Sequence, residues 1–390
     1  MITEDEPLYL DHAATTPLRR EALEAMWPWL TARFSNPSSP HGLGREARAA
    51  LEAAREELAR GLGCRAGELI FTSGGTEADN LAIKGIALGV ERPPAARRLI
   101  ISPFEHPAVE GACDYLCRHH GYRLERLAVD RNGLIDLDDL ARRLALPAAL
   151  CSVILGHNEI GTLQPIEHIS AIARANGVAL HVDAVQAAGW EAIDVERLGV
   201  AALSLSGHKL GAGRGIGALF LRRGVPLEPL LHGGHQERGR RGGTEQLPGV
   251  IALARAFTLA RAEAERHGER VAALRDAFIR GVLEGCPGAR LTGDAERRLP
   301  HHASFLFPGT HGEAVLLALE ARGVICSSGS ACKAGEDEPS PALLALGISR
   351  QEAQTAVRFC FDIDIDQPQV DRAVRAVVEA VAQVRGLGGR

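Results

Sequence analysis

Apolar and polar positions divide the chain into two kinds of segment: short runs that are apolar throughout, and longer stretches with apolar residues on one face. Arg45 to Leu62 is the clearest stretch of the second kind. Ala47, Ala50, Leu51, Ala54 and Leu58 recur there at the three-to-four-residue spacing of an amphipathic helix. Leu69-Ile70-Phe71-Thr72 is a run of the first kind. It stops at the turn Ser73-Gly74-Gly75, and Thr76 to Leu88 then reads as a helix. Further strands are predicted at Leu99 to Ser102, Leu150 to Leu155, Ala179 to Val182, Ala201 to Leu205 and Ala218 to Leu221, with a helix from about Pro165 to Ala175. Runs apolar on both faces suit strands buried in a parallel sheet. The stretch from Gly249 to Leu283 reads as one or two helices. After it the pattern predicts strand Ala303 to Phe307, helix Glu313 to Arg322, strand Ala356 to Phe361 and helix Gln367 to Val384. The class is α/β: a large, mainly parallel-sheet domain over 17–260, and a smaller α/β domain built from 261–390 together with 1–16.

Composition narrows the function. At 46% hydrophobic and 24% charged, the 390-residue chain is neither disordered nor fibrous. A net charge of −5 and 4% aromatic residues provide neither a basic field nor a stacking platform, so no direct nucleic-acid partner is expected. No apolar run approaches the roughly 20 residues needed to span a bilayer, so no membrane association is expected either. Met1 to Leu10 is acidic and lacks a signal-peptide core. The eight cysteines are scattered, which predicts free thiols in a reducing, cytoplasmic setting. Lysine is scarce: Lys84, Lys209 and Lys333 are the three lysines among 44 basic residues. Arginine cannot form an imine with a carbonyl and lysine can, so each lysine is a candidate for covalent chemistry.

Lys209 has the most telling surroundings. It follows the strand Ala201 to Leu205 in Ser206-Gly207-His208-Lys209, and ligands of open α/β sheets bind beyond the carboxyl ends of strands. An earlier strand ends in His181-Val182-Asp183, with Gln186 just beyond. A lysine for a Schiff base and a carboxylate to keep a pyridine nitrogen protonated are what pyridoxal 5′-phosphate (PLP) needs. The turn Ser73-Gly74-Gly75-Thr76 opens a helix and offers amides and a hydroxyl to a phosphate. His106 follows another strand and is suited to stack on a flat ring.

These residues stand in a longer series: Tyr9-Leu10-Asp11-His12-Ala13-Ala14-Thr15-Thr16-Pro17, Phe71 to Glu77, Asn158-Glu159-Ile160-Gly161, His181-Val182-Asp183, Ser206 to Lys209, Arg241-Gly242-Gly243-Thr244 and Ser328-Gly329-Ser330-Ala331-Cys332. In this order the series resembles the NifS/IscS-type cysteine desulfurases, PLP-dependent transferases of the type I fold, almost from end to end. The resemblance implies a homodimer that converts L-cysteine to L-alanine. Lys209 would bind PLP and move protons, Asp183 would pair with the ring nitrogen, Gln186 with the ring oxygen, and His106 would stack on the ring. Gly75, Thr76, Ser206 and His208 would hold the phosphate, with Thr244 reaching the phosphate of the neighbouring subunit. Asn158 and Arg358 would grip the substrate carboxylate. Cys332, on a loop over about 326–338, would be the nucleophile that becomes a persulfide and passes sulfur to a protein acceptor such as an iron–sulfur scaffold or a tRNA-thiolation protein. No resident metal is implied; Cys332 would be at most a transient iron–sulfur ligand shared with a scaffold. The same fold hosts selenocysteine lyases and aminotransferases, and an aminotransferase needs no thiol at Cys332. A non-catalytic sulfur carrier would not need Lys209, Asp183 and His106.

Other features have plainer readings. Cys64, Cys151, Cys286 and Cys360 read as buried apolar residues, and Cys326 as strand core, with a redox pairing to Cys332 as its alternative. Cys113, Cys117, His119 and His120 lack a second ligand pair for zinc. Lys84 reads as a solvated helix residue. Gly211 to Gly217 resembles a dinucleotide loop, but a strand follows where a helix should begin. Three stretches depart from the usual family pattern: Cys360 and Asp362 where Ser and Gly are common, Ala212-Gly213-Arg214 in place of Gly-Pro-Lys, and the charged residues Lys333, Glu336 and Asp337 of the cysteine loop.

Overall fold

A computed structural model describes residues 7–328 and 339–388. Cys332 and most of the cysteine loop lie outside the described residues. A seven-stranded sheet forms the larger layer, in the order Leu69–Thr72, Gly217–Leu221, Ala202–Ser206, Leu180–Asp183, Leu150–Ile154, Arg98–Ile101, Arg123–Arg126. All these strands run in one direction except Gly217–Leu221, which is antiparallel to both neighbours. Its first residue, Gly217, therefore lies beside Thr72 and Ser206, at the edge where the other strands end.

Helices cover both faces. Gly42–Leu62 buries Ala47, Leu51, Ala54 and Leu58, the apolar stripe read from the sequence, and ends on Gly63 in the left-handed conformation. Gly75–Leu88 packs on the other face with Pro107–His120. The Gly249 to Leu283 stretch forms one continuous helix, Leu247–Gly285. Its residues up to Ala260 lie in the core of the large sheet, and from Val271 onward they lie in a second core. That second core is built around the sheet Ser327–Ser328, Ala356–Cys360, His302–Leu306, Arg290–Leu291. The opening segment joins it: Leu8–Tyr9 pairs with Val324–Ile325, and Leu8 and Leu10 are buried there.

Several local expectations need correction. Cys326 falls in the break between Val324–Ile325 and Ser327–Ser328 and is half-buried, not strand core. Cys64 is half-buried rather than buried, because it lies just past the helix end at Gly63. Lys84 is half-buried, with Nζ 4.5 Å from the centroid of the Tyr115 ring. Among the described residues no group of three His, Cys, Asp or Glu side chains is placed to hold a metal, and no helix is long and apolar enough to cross a membrane.

Candidate active site

The carboxyl edge of the large sheet opens into a cavity of about 600 Å³. Gly75, Thr76, His106, Asn158, Asp183, Gln186, Ser206, His208, Lys209 and Arg358 all line it. Topology brings them together: the first eight follow or end strands of one sheet, Lys209 sits on the 3₁₀ turn Gly207–Lys209, and Arg358 comes from the second sheet. Thr244 is exposed and does not line the cavity of its own chain.

Lys209 Nζ donates to the carbonyl oxygens of Ala13 and, at 2.7 Å, Ala14. The opening segment thus forms the wall facing the amine. Asp183 ends its strand 2% exposed, and its Oδ1 accepts from Val185 N at 2.9 Å. Burial pushes its pKa up, and the charges of His106 and Lys209 pull the other way. His106 caps the Pro107–His120 helix, its Nδ1 accepting from Ala108 N at 3.1 Å. His208 Nδ1 lies 3.2 Å from Thr15 Oγ1. Burial, then Lys209 and Arg214, hold the His208 pKa down at about 4. The imidazole is therefore neutral at pH 7.

The Gly75–Leu88 helix starts at the cavity wall, and its first-turn amides have no intrahelical acceptors. A Cβ on Gly75 would come within 2.8 Å of Val185 Cγ2 and 3.2 Å of Ser206 Cβ. Glycine is what lets this helix end approach the strand end so closely.

Arg358 is 2% exposed. Its Nη2 donates to Asp11 Oδ1 at 2.7 Å and its Nη1 to the Asn158 carbonyl at 3.1 Å, while Nε is buried without a partner among the described residues. The Asn158 carbonyl also lies 3.0 Å from His302 Nε2. The loop carrying Asn158 is fixed by His157, whose Nδ1 accepts from the amides of Glu159 and Ile160 while Nε2 reaches the Phe104 carbonyl at 2.9 Å.

Sequence reasoning missed Asp11 as the partner of Arg358, and Asp79 and Arg214 as lining residues. Asp11 pairs across 347 positions, which no local pattern reveals. Asp79 had a signal, since it lies one helical turn beyond Gly75 and Thr76 on the helix that opens at the cavity.

Comparison with known proteins places this geometry. The model of the family described as "Aminotransferase class-V" matches residues 8–373. The chain belongs to the class-V aminotransferase family. Among curated relatives, it is similar to the cysteine desulfurase IscS of Dictyoglomus turgidum, 41% identical over 97% of this chain and 96% of that protein. It is similar also to the cysteine desulfurase NifS of Azotobacter vinelandii, 42% identical over 97% of this chain and 94% of that one. Among solved structures, a NifS-like protein superposes with a TM-score of 0.89 at 32% identity, covering 97% of this chain and 100% of the other. The protein SspA, solved in complex with cysteine, superposes at 0.78 and 33% identity over 91% and 98%.

The family's cofactor is PLP, and the cavity fits it. A lysine amine, a buried carboxylate, a helix N-terminus, Ser206, neutral His208 and Gln186 line one space, and the Gln186 Oε1 is buried without a partner among the described residues. A ring hydroxyl would satisfy that oxygen.

Proposed function

We propose that this chain is a PLP-dependent cysteine desulfurase, which converts L-cysteine to L-alanine and passes the sulfur on through a persulfide on Cys332. One observation carries the reading: Lys209, Asp183 and Arg358 converge on one cavity in a chain 41% identical to a curated desulfurase over 97% of its length. PLP, when bound, supplies an electron sink that weakens the substrate's C–S bond.

The chain's own residues do the rest. Lys209 holds the cofactor and carries a substrate proton on Nζ. Asp183 keeps a proton on the ring nitrogen, His106 covers one ring face, and Gln186 pairs with the ring oxygen. Gly75, Thr76, Ser206 and His208 hold the phosphate. Arg358 and Asn158 grip the substrate carboxylate, a task for which the unpartnered, buried Nε of Arg358 is a suitable donor. The Cys332 thiolate attacks the substrate sulfur: an S–S bond forms as the C–S bond breaks, and the carbon fragment takes up a proton and leaves as L-alanine.

The active form in this reading is a homodimer in the cytoplasm, with Thr244 reaching the neighbouring subunit's phosphate. Two features support the dimer. Thr244 is exposed and absent from its own chain's cavity, and Leu23, Trp27, Leu30 and Phe34 expose a run of apolar surface on and just after the Arg20–Thr31 helix. The acceptor is a protein such as an iron–sulfur scaffold or a tRNA-thiolation protein. The test is to incubate the purified yellow protein with L-cysteine and a thiol reductant, measuring products. One alanine per sulfide is expected. Pyruvate or a keto acid as the main product would contradict the reading.

A further inference from the structure

Directly beneath the site runs a line of buried polar side chains that none of the roles above uses. His181 is two residues before Asp183 on the same strand and so shares its face of the sheet. The His181 Nδ1 lies 2.9 Å from Ser152 Oγ, and its Nε2 lies 2.9 Å from Ser204 Oγ. Ser152 Oγ is in turn 3.3 Å from Glu105 Oε2. At the other end lies the carboxyl of Asp79, whose Oδ1 is 3.6 Å from His181 Nε2 and is buried without a hydrogen-bond partner among the described residues. Ser152, His181 and Ser204 are fully buried, Asp79 is 1% exposed and Glu105 6%. These side chains come from neighbouring strands, a loop and the Gly75–Leu88 helix, so the fold assembles the line and no single segment does.

We propose that Glu105 and Asp79 share one proton through Ser152, His181 and Ser204, and that the position of this proton sets how firmly Asp183 holds the proton on the cofactor's ring nitrogen. Three links are formed, and a small turn of the Ser204 hydroxyl onto Asp79 completes a line with two arrangements. In one, protonated Glu105 donates from Oε2 to Ser152, Ser152 to His181 Nδ1, His181 from Nε2 to Ser204, and Ser204 to an ionised Asp79. In the other every donor is reversed, with Asp79 protonated and Glu105 ionised. Passing between them moves one proton across each of the four links. His181 stays neutral throughout and changes only its tautomer, and no atom is gained or lost. Glu105 Oε1 takes no part, because it already accepts from Ser102 Oγ at 2.5 Å and Ile154 N at 2.8 Å.

Electrostatics fits a single shared proton. Burial pushes Glu105 up to about 8 and Asp79 well above the carboxylate range, and each is raised further by Asp183. Burial holds His181 down at about 3, so the ring carries one proton only. The other titratable groups facing the line are His106 and Lys209 at Asp183, and the thiols of Cys113 and Cys151 near Glu105, which burial keeps neutral. Asp79 lines the cavity and Glu105 does not, so a proton on Glu105 leaves the anion at the carboxyl nearer the ring site, which strengthens the hold on the ring proton. A proton on Asp79 weakens it.

The inference rests on the pairing of Asp183 with the ring nitrogen, and the test separates the two. The holoenzyme is loaded with PLP labelled with ¹⁵N in the ring, and the ring-nitrogen shift is followed against pH. Asp183→Asn must lower the protonation midpoint; if it does not, the pairing itself is wrong. Asp79→Asn is expected to lower that midpoint by about one pH unit, a tenfold change. Glu105→Gln, which can only donate toward Ser152 in the proton's place, is expected to raise it, and to have no effect in a Ser152→Ala background. A fall or no change after Glu105→Gln, or an effect that survives Ser152→Ala, overturns the shared proton. A second measurement needs no variant in the line: with ¹⁵N-labelled histidine, the two ring nitrogens of His181 should report exchange between tautomers that shifts with pH while the ring stays neutral. A single fixed tautomer throughout would overturn the proposal equally.

Discussion

Arg358 shows how one side chain is fixed in the cavity for the carboxylate-binding role proposed for it. It is buried, Asp11 neutralises it at 2.7 Å, and the Asn158 carbonyl fixes its plane at 3.1 Å. Burial pulls the Arg358 pKa down, but Cys360 and then Asp11 raise it by more, and the guanidinium stays protonated. Lysine would keep the charge but lose the planar fork. Arg358→Lys is therefore expected to raise KM for L-cysteine about 10- to 100-fold, from the roughly 1.5–3 kcal/mol of a charge-assisted pair. PLP affinity should be unchanged. Steady-state kinetics and a PLP titration check this, and an unaltered KM would move the carboxylate site elsewhere. The residue types at this site were legible as a motif, since Lys209, Asp183 and His106 each follow or end a recognisable strand. Asp11, although within a quoted motif, was not, because its partner lies at the other end of the chain.

At the scale of elements, the loop that carries Thr244 is fastened to the sheet by a buried ion pair. Glu237 sits on this loop at φ 47°, followed by Arg238 at φ 58°, both in the left-handed region that non-glycine residues rarely occupy. Arg55, from the Gly42–Leu62 helix, meets Glu237 with two hydrogen bonds of 2.8 Å and lies 4.6 Å from the centroid of the Phe71 ring. Glu237 also accepts from Phe71 N at 3.1 Å. The loop is thereby tied to the strand that ends in the Ser73-Gly74-Gly75 turn. Arg55→Ala leaves a buried carboxylate unpaired and should cost about 3–5 kcal/mol. Urea unfolding would show it, with part of the loss recovered in the Arg55→Ala, Glu237→Ala double variant. Equal losses that simply add would mean the pair is uncoupled. Most elements with strong apolar patterns lie within a residue or two of where the pattern places them, though the Gly42–Leu62 helix starts three residues earlier and Gln367–Gly388 ends four residues later. Arg123–Arg126 gave no signal because it is an edge strand whose side chains are half-buried or exposed. The Arg20–Thr31 helix was missed for a related reason: Ala22 is its one buried residue.

For the whole molecule, the site exists because two cores meet. The larger supplies Lys209, Asp183 and the helix N-terminus at Gly75. The smaller supplies Arg358, and with it packs the opening segment whose Ala13 and Ala14 carbonyls receive Lys209. The Leu247–Gly285 helix runs through both cores and joins them. Strand–helix alternation divides the sequence into two α/β units, but it does not show that the smaller sheet is antiparallel. How they face one another is set by contacts between distant segments, such as Arg19 to Glu263 at 2.7 Å and Thr16 to the His208 carbonyl at 3.0 Å, and these leave no periodic trace.

The central claim is that sulfur leaves L-cysteine by attack of the Cys332 thiolate. Its most direct test compares alanine formation by the wild type and Cys332→Ser, with both proteins shown to keep the yellow PLP chromophore. The account predicts alanine from the wild type and almost none from the yellow variant. Equal alanine from both would contradict it and point to a reaction of the same fold that needs no thiol at this position.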